Sequence, residues 1–108
     1  MVEFKPLFTG ILEPGRHEVY TCAPSKRATV LIVRLKNKTS DAVEISMAGN
    51  WDGETDVDQL PDGYRIMAGQ VAEYLNFSLM FDGGGSLVVN VADGGLIHCY
   101  VGGIERSK

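Results

Sequence analysis

Two histidines, two cysteines, one tryptophan and no surplus of positive charge are what 108 residues offer to chemistry. His17 and His98 stand far apart with no HxxxH or HxH spacing, so a transition-metal site would require distant residues to converge. Cys22 and Cys99 lack CxxC spacing and a secretory context. Both sit in strand-like apolar runs and read as buried thiols; a disulfide would need adjacent strands and an oxidising compartment. His98 and Cys99 are neighbours on a strand and point to opposite faces, which removes them as a base–nucleophile pair. Cys22 with either histidine is the pairing left open, although an apolar strand cysteine is ordinarily inert filling. Ten Lys and Arg against fourteen Asp and Glu give a net charge of −4, whereas phosphate neutralisation needs a cationic surplus. No apolar stretch approaches the ~20 residues that span a bilayer, and the N-terminus lacks the pattern of a secretory signal. Together these absences predict a soluble protein made in the cytosol, not an enzyme, with no nucleic-acid or membrane partner.

Helical periodicity is missing as well, and period-two alternation recurs in its place. The clearest strand is 27–37, with Leu31, Val33 and Leu35 on one face and Val30, Ile32, Arg34 and Lys36 on the other. After the turn 38–41, Val43, Ile45 and Met47 alternate with Glu44 and Ser46, so these two runs are expected to pair as a hairpin. Leu75, Phe77, Leu79 and Phe81 alternate with Asn76 and Ser78. Beyond the glycine turn 83–85, residues 87–91 and 96–101 complete an expected C-terminal meander, with Gly102-Gly103 as a bulge or a close backbone approach. Weaker strands at 2–9 and 16–21 flank Pro14-Gly15, a turn dipeptide. About seven or eight short strands predict two packed antiparallel sheets: an all-β sandwich or jelly roll, one domain over 1–108, with 1–9 as an N-terminal arm or edge strand. Residues 49–69 interrupt the regularity; around 64–67 a short strand and a single helical turn fit equally.

That excursion concentrates carboxylates. Asp52, Glu54, Asp56 and Asp58 are the candidates for a Ca²⁺ site, because calcium takes six to eight oxygens. The EF-hand template nevertheless fails, since its Gly and Glu positions hold Val57 and Gly63, and the bland alternative is a solvated acidic loop. Gly83-Gly84-Gly85 lacks a following Lys-Ser/Thr and helix, so it reads as a turn and not a phosphate loop. Arg34, Lys36 and Lys38 share a face by period two and form a local basic stripe, the mark of a solvated edge or a contact to an acidic partner. Trp51, Tyr64 and Tyr74 are candidates for a sugar-stacking platform; alternatively, Trp51 caps the open end of the sandwich with its N–H bonded.

The segment Val19-Tyr20-Thr21-Cys22-Ala23-Pro24-Ser25-Lys26-Arg27-Ala28-Thr29-Val30, followed by a strand ending at Asn37, a polar turn and a second alternating strand, resembles small β-sandwich structural proteins of tailed-phage virions. Ser25 stands where that pattern has Gly, and the resemblance weakens beyond about Trp51. It implies a capsid decoration (cement) protein, located in the virion and made in the host cytoplasm, that binds capsomer junctions of the major capsid protein as a homotrimer. A tail, baseplate or fibre-associated subunit and a carbohydrate-binding sandwich are its alternatives. In that picture Phe4, Leu7 and Phe8 belong to the partner-binding arm, while Trp51 and Tyr64 bound a loop in which Trp51 is an anchor inside an acidic rim.

Overall fold

β-Branched and aliphatic residues at every second position dictate extended chain with one face to bury, and the chain answers with strands throughout. The computed structural model describes residues 4–74 and 79–107, and no helix occurs among them. Its strands are β1 (Phe4–Leu12), β2 (Gly15–Thr21), β3 (Lys26–Asn37), β4 (Val43–Asn50), β5 (Asp56–Asp58), β6 (Arg65–Ile66), β7 (Val71–Tyr74), β8 (Leu79–Asp82), β9 (Ser86–Val91) and β10 (Ile97–Ser107). They form two antiparallel sheets. The first runs β1-β10-β3-β7 with β8 also on β3; the second runs β2-β9-β4-β5 with β6 also on β4. The fold is therefore an all-β sandwich, and the strand order is that of a jelly roll, β1 and β2 lying beside β10 and β9, which lie beside β3 and β4.

Two expected pairings do not occur. β3 and β4 are in different sheets, so they face each other across the core instead of forming a hairpin. β3 is already bonded to β10 on one side and to β7 and β8 on the other, which leaves no edge for β4. The C-terminal strands are no meander either: β8 joins the first sheet, β9 the second and β10 the first again. Of the alternating run ahead of β8, residues 75–78 lie outside the described residues, as do residues 1–3 at the N-terminus. Around 64–67 the chain forms the short strand β6 and not a helical turn.

The expected bulge at Gly102-Gly103 is present. Gly102 pairs with Ile32 and Gly103 with Val30, so Leu31 is the extra residue on β3. A Cβ on Gly103 would lie 2.1 Å from the Thr29 carbonyl oxygen, so only glycine permits this approach. The bulge also shifts the phase of β3. Ala28 and Val30 point into the core before it and Val33 and Leu35 after it, while Leu31 is only half-buried. The core joins these residues with Phe81, Ile97, Cys99 and Val101 of the first sheet and Val19, Ile45, Met47, Leu87, Val89 and Val91 of the second. Each such aliphatic contributes roughly 1.5–3 kcal/mol on burial. Cys22 and Cys99 are free thiols, both fully buried.

Candidate functional site

Along β4 the inward positions are 43, 45, 47 and 49, and Trp51 follows in the same phase just past the strand. Gly49 makes room for it: a Cβ there would fall 2.2 Å from the indole ring. The ring stacks on Phe81 with centroids 5.2 Å apart and planes 16° from parallel. Its Nε1–H donates to the Met80 carbonyl at 2.8 Å. Trp51 thus caps one end of the sandwich and ties the second sheet to β8 of the first, while 44% of it stays exposed. Outside it lies an open cleft of about 370 Å³ bounded by Arg27, Met80, Asp82 and Arg106, with Arg27 Nε held by Asp82 at 3.0 Å.

Tyr64 sits at the opposite end of β4. Its carbonyl accepts the Ile45 N–H, six residues before Trp51, which at ~3.3 Å per residue is roughly 20 Å. Tyr64 meets Tyr74 at 6.5 Å in a tilted pair. The three-ring platform therefore does not assemble; two tyrosines come together and Trp51 stands apart.

The acidic loop is occupied by its own architecture. Asp52 Oδ1 accepts the backbone N–H groups of Glu54 and Thr55 at 2.8 and 2.7 Å, which hold its carboxyl below the usual carboxylate range. Asp56 receives both Nε and Nη2 of Arg16 at 3.1 and 3.0 Å and the amide of Asn50 at 2.8 Å. These bonds, Arg16 first, lower its pKa too. Glu54 and Asp58 are exposed. Among the described residues no three His, Cys, Asp or Glu side chains converge on a point.

Phe4, Leu7 and Phe8 lie in β1, on the edge of the first sheet and paired with β10. Leu7 and Phe8 pack against the core. Phe4, 54% exposed, spreads its ring over Gly102 beside Ile32 and Tyr100 on the outer face. Arg34 and Lys36 of the basic stripe share this face, and Arg34 Nε is bonded to Glu73 Oε2 at 2.6 Å. Neither thiol is set up as a nucleophile. Cys22 Sγ donates to the Lys26 carbonyl at 3.3 Å, and burial pushes the Cys99 thiol up to about 12.

Two clusters escaped the sequence because their members are remote along the chain. Tyr20 donates its hydroxyl to Glu105 Oε2 at 2.5 Å, and Lys5 Nζ reaches Glu105 Oε1 at 2.7 Å, so β2 is bonded to β10 across the two sheets. Asn37, fully buried, donates to the Asp41 and Ile66 carbonyls and accepts from the backbone N–H and hydroxyl of Thr39. Tyr20 opens the Tyr-Thr-x-x-Pro stretch. Behind it the Cys22 N–H and carbonyl bond to Gly85 and Gly84, and Pro24 lies so close to Gly83 that a Cβ there would fall 2.5 Å from the Pro24 carbonyl oxygen. That stretch therefore docks the β2–β3 connection onto the β8–β9 turn.

No family model and no curated protein matches the chain. Solved structures that align with it include a pentameric capsid protein isolated from metagenomic phage sequences, 21% identical over 93% of this chain and 60% of that one, with a TM-score of 0.37. Another is infectious bursal disease virus Gx strain, 7% identical over 99% of this chain and 42% of that one, with a TM-score of 0.43. The chain thus spans less than two thirds of either neighbour. Overlaps this loose assign neither family nor role, and the fold rests on the strand pairing described above.

Proposed function

We propose that this protein is a structural subunit of a phage virion, a capsid decoration protein that binds junctions between subunits of the major capsid protein. The observation that carries the reading is the segment from Tyr20 to Val30. The residues that resemble those of tailed-phage β-sandwich proteins are the ones that fasten the β2–β3 connection and bond the two sheets through Tyr20 and Glu105. A decoration protein has to present a stiff body and adhesive surfaces, and a sandwich closed at one end by Trp51 supplies the first. Phe4 and the outward edge of Trp51, both exposed, supply candidates for the second. Jelly rolls also serve as lectins and enzymes, so the fold alone carries no function. A tail, baseplate or fibre position is the neighbouring assignment, and three-fold assembly is the arrangement the resemblance suggests. With Trp51 about 20 Å along β4 from Tyr64, a sugar site built on both rings is not favoured.

Immunogold labelling of particles from the protein's source tests the reading. Regular label over the heads is the expected result. Label confined to tails would move the protein to the tail, and unlabelled particles would end the virion assignment.

A further inference from the structure

The edge of a β-sheet presents unpaired N–H and C=O groups, and soluble proteins blunt such edges with charge, proline, bulges or brevity. Nearly every edge here is blunted. β5 and β6 are only three and two residues long and carry Asp56 and Asp58, and Arg65, while the described parts of the β7 and β8 edge carry Glu73 and Asp82. β2 carries Arg16, His17 and Glu18. β1 is nine residues long and is guarded over its first half alone, by Lys5, Pro6 and the register shift between Pro6 and Phe8. From Phe8 to Leu12 it has no charge, no proline and no bulge. That half pairs with β10 on one side, and its other side has no backbone bond to a further strand among the described residues.

We propose that residues 8–12 of β1 pair antiparallel with the same residues of a second copy, about a two-fold axis near Gly10, joining the first sheets of two molecules into one. An isologous contact must be self-complementary, and this segment is. It brings no charge to face its own twin, although the whole chain carries −4. Gly10 sets no side chain against Gly10 of the second copy. Thr9 and Ile11, both exposed on the outer face, come opposite each other across the axis as β-branched pairs of the kind that stabilise sheets. Addition of β1 to a different strand of a neighbour, as a three-membered ring would require, meets the short or charged edges instead. The inference does not rest on the virion reading, and it replaces the three-fold arrangement that the resemblance suggests with a two-fold one.

Sedimentation velocity of the full chain from about 1 µM to about 1 mM, a span covering weak and moderate association, tests it. The mass is expected to rise from 11.7 kDa to twice that. Ile11→Lys, at a residue 48% exposed, places two like charges at the new seam and should weaken the dimer about tenfold or more with unchanged circular dichroism. Val57→Lys, at another exposed apolar residue, should leave association intact. Amide exchange over residues 8–12 should slow as the parent protein is concentrated and stay constant in the Ile11→Lys variant. A monomer throughout, a three-fold mass, or a dimer indifferent to Ile11→Lys would overturn the pairing. None of those results bears on particle labelling, so the two readings fail separately.

Discussion

Trp51 joins the two sheets through three different contacts: it fills the space over Gly49, stacks on Phe81 and donates to the Met80 carbonyl. Its partial exposure does not make it expendable. Trp51→Ala should cost about 2 kcal/mol in urea unfolding, below the range for fully buried aromatics because 44% of the residue faces solvent. A loss of particle binding by that variant is therefore informative only where the variant is still folded. Glu105 gives a second prediction. Lys5 first and Tyr20 second hold its carboxyl below the ordinary value, so the folded state binds its proton less readily than the unfolded chain does. The stability it supplies is present above the unfolded carboxylate pKa of about 4.3 and drains away as pH falls through the lower folded value. Glu105→Gln should accordingly unfold more easily than the parent at pH 7, with the difference narrowing below about pH 4. An unchanged gap at low pH would mean that Glu105 acts by packing and not by charge.

At the scale of the element, the bulge at Leu31, opposite Gly102-Gly103, organises the longest strand pair. It lets β3 bury Ala28 and Val30 at one end and Val33 and Leu35 at the other while β10 stays bonded along its length. Gly103→Ala should lower stability by about 3 kcal/mol or raise the exchange of the amides around Thr29, because the 2.1 Å approach of the Thr29 carbonyl leaves a methyl group no room. Gly103→Ala with parental stability would show that the two strands can move apart. The Gly-Gly pair was legible as a bulge because glycine within an apolar strand has few other uses. Its effect on β3 was not, since the phase of a strand is set by the partner's register and not by its own alternation. Trp51 as a cap was legible for a similar reason, a large amphipathic ring following an alternating strand in phase. Asn37 as a buried plug was legible only as the polar end of a strand, because its partners at Ile66 and Asp41 come from other segments.

At the scale of the molecule, the alternation of apolar residues predicted about seven or eight strands with one face to bury, which is enough for a sandwich, whereas the described residues form ten, among them the short β5 and β6 of the 49–69 excursion, which follow no alternation. It could not show which strands share a sheet. A turn such as residues 38–42 reverses the chain equally well within one sheet or from one sheet to the other, and a strand with one apolar face suits both cases. The Arg16–Asp56 and Tyr20–Glu105 bonds were hidden for the same reason, since both depend on the order of strands in space. That order has a consequence for folding. β3 takes its backbone partners from β10, β7 and β8, and β4 from β9, β5 and β6, so neither strand bonds the other. A peptide of residues 26–50 therefore lacks every ladder its strands use in the whole protein and gains only an apolar contact face to face. It should show no sheet signal in circular dichroism and no protected amides, whereas a hairpin of this length and apolarity would show some of both. Persistent sheet structure in that peptide would mean that β3 and β4 can pair directly and that the jelly-roll order is reached by their separation.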